Sequence, residues 1–82
     1  MITILFFAQL REQLQCEKLA FELSSVSTIA ALRERLMLEH PQWIKFLVSE
    51  KLLFSVNQTL VKESHPVNEG DEVAFFPPVT GG

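Results

Sequence analysis

The sequence has little cysteine, little histidine, no basic cluster and no long apolar run, and each shortage removes a class of function. Cys16 is the single cysteine, so no disulfide can close within the chain. That usage fits a reducing, cytoplasmic setting. His40, His65 and Cys16 lack metal-ligand spacing, so no zinc site and no permanently bound cofactor are expected. No apolar stretch approaches the roughly 18 residues a membrane span needs. The opening Met1-Ile2-Thr3-Ile4-Leu5-Phe6-Phe7 also lacks the basic start of a secretory leader. The formal charge is −3, and without a positive stripe direct nucleic-acid binding is not expected.

What the sequence does have is apolar bulk. The hydrophobic fraction is 48%, with seven Phe and one Trp in 82 residues. A chain of this length makes one domain, residues 1–82, around one small core, with apolar surface left over. Large aromatic side chains bury much area per residue, which helps a small domain. There is no internal repeat, low-complexity segment or linker.

The periodicities predict strand, strand, helix, strand, strand, strand. Ile2–Phe7 is a short β-rich run, and Lys18–Leu23 alternates with Leu19, Phe21 and Leu23 on one side. Between them Ala8–Leu14 fits a helical turn or two, with Leu10 and Leu14 sharing a face. The long helix is predicted from about Thr28 to about Glu39. Ile29, Leu32 and Leu36 form its buried stripe, and Ser27 or Thr28 its cap. His40-Pro41 ends it, because the residue before proline avoids the α region. Gln42–Val48 is a candidate second short helix with Trp43, Phe46 and Leu47 as its apolar side. Leu52–Val56 and Thr59–Val61 read as strands turned at Asn57-Gln58. Val73–Phe76 is the last strand, stopped by Pro77-Pro78.

The final segment, Phe75-Phe76-Pro77-Pro78-Val79-Thr80-Gly81-Gly82, closely resembles that of the small subunit of molybdopterin synthase. Leu5-Phe6-Phe7-Ala8 with Arg11-Glu12, Val56-Asn57-Gln58 and Gly70-Asp71-Glu72-Val73 match at compatible spacing; residues 16–51 match mainly in pattern. The resemblance implies an α+β, ubiquitin-like β-grasp fold. In it a mixed sheet pairs the first and last strands in parallel, one long helix crosses one face, and a mobile Gly-Gly tail extends over residues 77–82. It also implies a sulfur carrier that is not itself catalytic. A separate activating enzyme would use ATP to adenylate the Gly82 carboxylate, and a persulfide-derived sulfur would replace AMP. The large synthase subunit would then receive the Gly82 thiocarboxylate and pass sulfur to a cyclic pyranopterin monophosphate, twice per dithiolene. The implied assembly is a heterotetramer built on a dimer of the large subunit.

The residue types suit this chemistry. A carboxylate resists nucleophiles because its leaving group is poor, and an acyl-adenylate supplies a good one. Gly81 and Gly82 carry no Cβ and fit a narrow channel, while Pro77 and Pro78 restrict the emerging chain. Pro78, Val79, Thr80, Gly81 and Gly82 together span at most about 16–18 Å when extended, enough to enter a recessed centre. A docking surface is expected beside this tail. One helix covers one face of a sheet, so Ile2, Ile4, Phe6 and Phe75 are assigned to the core. Phe7, Leu60, Phe76 and Pro77 are assigned to a partner-binding patch on the other face.

Plainer roles compete for several residues. Phe7 and Phe76 would be core residues if the faces were reversed. Cys16, which nothing flanks that would stabilise a thiolate, reads as a loop residue and not a persulfide site. Ser24, Ser25 and Ser27 read as caps, and Glu69, Asp71 and Glu72 as a solvated turn or, alternatively, as contacts for basic residues of a partner. Three other functions use the same end differently: a thiamine-type sulfur carrier, a ubiquitin-like protein modifier that transfers Gly82 to a lysine, and an interaction module with an inert terminus.

Overall fold

The computed structural model describes residues 1–23 and 26–77. Five strands form one mixed sheet: β1 (Ile2–Phe6), β2 (Lys18–Phe21), β3 (Leu53–Val56), β4 (Thr59–Val61) and β5 (Glu72–Phe76). Their order is β2-β1-β5-β3-β4, with β1 and β5 parallel in the centre and the other neighbours antiparallel. This is the expected β-grasp arrangement. The helices are α1 (Ala8–Leu14), α2 (Ile29–Glu39) and α3 (Ile44–Leu47), the last entered through a 3-10 turn at Pro41–Trp43.

Helix α2 forms where its stripe predicts. Ile29, Leu32 and Leu36 are all fully buried. Its first orphan N–H groups are satisfied from outside the helix. Ile29 N donates to the His65 carbonyl at 3.1 Å, Ala30 N to the Glu63 carbonyl at 2.8 Å, and Ala31 N to Thr28 Oγ1 at 3.2 Å. The cap is therefore Thr28. Ser27 instead offers its carbonyl to Val67 N, and the candidate caps Ser24 and Ser25 lie outside the described residues. At the other end His40 takes φ −132° and ψ 75°, as a residue before proline should.

Helix α1 ends at Gln15, whose φ of 54° is left-handed. Cys16 N donates to the Arg11 carbonyl at 3.2 Å and Gln15 N to the Glu12 carbonyl at 3.3 Å. This is the hydrogen-bond pair of a Schellman turn, and it gives the half-buried Cys16 a structural place.

The core lies between the helices and one sheet face. Phe6, Phe54, Phe75 and Trp43 meet edge to face there, with centroids 5.5 Å (Phe6–Trp43), 5.6 Å (Phe6–Phe75) and 5.3 Å (Phe54–Phe75) apart. Each such pair contributes about 0.5–1.5 kcal/mol beyond its buried area. Arg33 fastens α2 to the sheet side. It donates to the Ser49 carbonyl at 3.2 Å and to Glu63 Oε2 at 2.5 Å, with its guanidinium carbon 5.6 Å from the Phe54 ring centre.

Several element ends differ from the predicted ones. β1 stops at Phe6 and β2 at Phe21, β3 begins at Leu53, and β5 gains Glu72. The short helix predicted over Gln42–Val48 splits, because Pro41 sits in the first turn of a tighter 3-10 helix. Trp43 and Leu47 are buried as expected, and Ile44 faces out.

Candidate functional site on the open face of the sheet

Alternation along β1 and β5 sends neighbouring side chains to opposite faces. Ile2, Ile4, Phe6, Val73 and Phe75 go to the core. Leu5, Phe7, Glu72, Ala74 and Phe76 go to the face that no helix covers. Pairing extends this face sideways: Leu5 lies opposite Ala74, Ala74 opposite Ser55, Ser55 opposite Leu60, and Leu53 opposite Phe76. These residues enclose an open concavity of about 440 Å³, lined by Leu5, Phe7, Leu60, Ala74 and Phe76 with Ser55, Gln58 and Glu72.

The patch residues expected from periodicity fall together here. Leu60 is 69% exposed and Phe7 38% exposed, while Phe76 and Pro77 are half-buried. Phe7 and Phe76 stack face to face, with centroids 4.9 Å apart and planes 8° from parallel. Phe7 N donates to the Phe75 carbonyl at 3.2 Å, which fixes the end of β1 against β5. Exposed aromatic surface of this kind costs solubility unless something covers it. A second apolar hollow of about 400 Å³ lies on the helix side, lined by Glu34, Met37, Leu38, Ile44 and Val48. It contains no residue of β5. The sheet face does, and its Phe76 leads directly into Pro77. Pro78, Val79, Thr80, Gly81 and Gly82 lie outside the described residues.

The alternation of β1 and β5 places Leu5 with Phe7 and Ala74 with Phe76 on this side of the sheet, although the expected patch includes neither Leu5 nor Ala74. Leu53, Ser55 and Gln58 depend on the β3–β5 and β3–β4 registers, which no local pattern specifies.

Two distant motifs build the base of the site. Asn57 and Gln58 turn β3 into β4, both with positive φ (50° and 71°), the backbone of a two-residue hairpin. Asn57 Nδ2 donates to Asp71 Oδ1 at 3.0 Å, and Asn57 Oδ1 accepts from Glu72 N at 3.0 Å. Asp71 Oδ2 accepts from Asn68 N at 2.8 Å. Asp71 therefore braces the turn, whereas Glu69 pairs with the amino group of Met1 and Glu72 starts β5.

The remaining candidates sit apart from this face. His40 stacks on Trp43 at 4.0 Å, and His65 lies in the loop that caps α2. Cys16 Sγ contacts the Lys18 carbonyl at 3.6 Å. Among the described residues no group of three His, Cys, Asp or Glu could hold a metal ion, and no helix is long and apolar enough to cross a membrane.

Comparison with known proteins adds the family. Residues 4–82 match the model of the ThiS family. The molybdopterin synthase sulfur carrier subunit of Escherichia coli (strain K12) is 49% identical, and the alignment covers all of both chains. Among solved structures, SAMP1 from Haloferax volcanii superposes with a TM-score of 0.82 at 22% identity, over 99% of this chain and 98% of that one. A complex of subunits 1 and 2 of molybdopterin-converting factor from Helicobacter pylori contains a chain that superposes with a TM-score of 0.67 at 23% identity, over 99% of this chain and 97% of that one. At these identities the two structures show the shared fold alone. The chain belongs to the ThiS family and groups within it with the molybdopterin synthase sulfur carrier subunits.

Proposed function

We propose that this protein is the sulfur-carrying subunit of a molybdopterin synthase and that its working group is the Gly82 carboxyl. The observation that carries the proposal is the apolar open face that runs through Phe7 and Phe76 to Pro77, five residues before Gly82. A carrier needs a face that docks and an end that reaches, and here the two adjoin.

In this scheme an activating enzyme transfers AMP from ATP to Gly82 with release of pyrophosphate. The outer sulfur of a persulfide then displaces AMP to give an acyl disulfide, and a thiol of the donor system cleaves its S–S bond, which leaves the Gly82 thiocarboxylate and a new disulfide on the donor. Docking through Phe7, Leu60, Phe76 and Pro77 delivers Pro78–Gly82 into the large subunit. There the sulfur acts as a near-intramolecular nucleophile toward the pterin precursor. Catalytic side chains belong to the partners, and the setting is the cytoplasm. The name of the Escherichia coli relative supports the pathway, and the Helicobacter pylori complex supports a paired subunit.

The test is the intact mass of the protein after incubation with an activating enzyme, ATP and a sulfur donor, followed by the large subunit and the pterin precursor. The expected result is a gain equal to sulfur replacing oxygen, located on Gly82 and lost on adding precursor. A gain that persists with the precursor would assign the carrier to another pathway, such as the thiamine type. No gain with an enzyme active on a known carrier would overturn the proposal. SAMP1, a small archaeal modifier protein, shares the fold, and a modifier that transfers the same activated Gly82 to a lysine is the second reading. Its signature would be lysine-linked conjugates on a denaturing gel that vanish when Gly82 is deleted.

A further inference from the structure

The open face is hollow because its floor is made of small residues. Ala74 and Ser55 pair across β5 and β3 and lie between the bulkier Leu5, Phe7, Leu60 and Phe76. Besides the exposed Gln58 at its rim, two polar groups open on this hollow. Ser55 is only 6% exposed, and its hydroxyl has no hydrogen bond to any described residue. Yet no side-chain N or O atom among the described residues is both sealed from solvent and unpartnered. The hydroxyl must therefore reach the concavity that Ser55 lines. The second group is Glu72. Its backbone is bonded to Asn57, but its carboxylate has no ion pair or hydrogen bond among the described residues.

We infer that the hollow is a socket for one arginine side chain of the protein that receives the C-terminal segment. The apolar stem lies between Leu5 and Leu60, and the guanidinium reaches the Ser55 hydroxyl and the Glu72 carboxylate. This deepens the carrier proposal and rests on it. Arginine fits because it combines an apolar stem with a planar head of five donors that matches a carboxylate. A leucine anchor would desolvate both acceptors without a partner for either. A lysine would present a compact, strongly hydrated charge to an apolar wall. The net charge of −3 favours a cationic partner surface in the same sense. The place is fixed by the chain itself, since Phe76 lines the socket and the segment bound for the partner's centre begins at the next residue.

The experiment is calorimetric titration of the large molybdopterin synthase subunit with the full-length protein, Ser55→Leu, Ser55→Ala and Glu72→Gln, at low and moderate salt. Ser55→Leu fills the floor and is expected to weaken binding about twentyfold or more; Ser55→Ala should weaken it about threefold. Glu72→Gln should weaken it about tenfold at low salt and flatten the salt dependence. Unfolding curves check that each variant is folded. Should Ser55→Leu fail to fold, Ser55→Ala and Glu72→Gln still decide, because neither changes the core. Variants that bind within twofold of the native protein, or a Glu72→Gln loss that leaves the salt dependence unchanged, would overturn the arginine socket. If the native protein itself neither binds the large subunit nor takes up sulfur, the carrier proposal fails and the socket with it. Native binding and sulfur uptake with indifferent variants would overturn the socket alone.

Discussion

Asn57 donates its side-chain N–H to Asp71 Oδ1 at 3.0 Å, and so ties the β3–β4 hairpin to the start of β5. The residues are 14 apart in sequence, and the same amide accepts from Glu72 N. Asn57→Ala removes both bonds and places a Cβ-bearing residue without a compensating side chain at φ 50°. We expect a loss of about 2–3 kcal/mol. Asn57→Gly keeps the backbone conformation and should lose about 1–2 kcal/mol. Urea unfolding at fixed m-value measures both; equal losses would mean that the left-handed backbone costs alanine nothing, and no loss in Asn57→Gly would mean that the hydrogen bonds contribute nothing.

Gln58 follows at φ 71°, a conformation that costs a side-chain-bearing residue about 1–2 kcal/mol. The side chain itself is exposed at the rim of the open face. Gln58→Gly should therefore raise stability by about 0.5–1 kcal/mol, visible as a higher thermal midpoint. A lower midpoint would show that the Gln58 side chain contributes more than the backbone strain costs.

The stacked rings of Phe7 and Phe76 are coupled to each other more than to the core. A double-mutant cycle with Phe7→Ala and Phe76→Ala should give a coupling of about 0.5–1.5 kcal/mol in stability. Each single change should weaken binding to the large subunit at least about tenfold while the fold persists. Unchanged binding by calorimetry would remove these rings from the docking surface.

Arg33 is worth more than an ordinary surface ion pair because its side chain is only 15% exposed and bonds two loops at once. Arg33→Ala should lose about 1–2 kcal/mol, and Arg33→Lys should recover little, because a single ammonium cannot span both acceptors. Chemical unfolding measures both variants, and an Arg33→Ala loss below about 0.5 kcal/mol, or full recovery by Arg33→Lys, would contradict this account.

Phe75 is fully buried and meets Phe6 and Phe54 edge to face. Phe75→Ala should lose about 3–5 kcal/mol. That is comparable to the whole stability expected of so small a domain, so far-ultraviolet circular dichroism should find much of the variant unfolded at 37 °C. Phe75→Leu keeps most of the volume and should remain folded.

Much of the architecture was legible because its signals are local. The i, i+3, i+7 spacing of Ile29, Leu32 and Leu36 marks a helix whatever surrounds it, and His40-Pro41 marks its end. The two-sided alternation of β1 and β5 assigns Phe6 and Phe75 to one face and Phe7 and Phe76 to the other. The edges were less legible. Phe7 continues the β-rich run by composition, yet it leaves the strand to cap α1. Pro41 enters a 3-10 turn that no apolar period announces.

The sequence by itself determined the element order, the core stripes and the Gly81-Gly82 end, because helical and strand periods, proline and glycine act over a few residues. Only the tertiary structure decided that Ser55 and Ala74 form one floor, that Asn57 braces Asp71, and that Phe7 lies on Phe76. Those relations depend on strand register and on chain segments far apart in sequence. Register is set by the whole sheet packing at once, since a slip of one residue would carry every side chain of a strand to the opposite face.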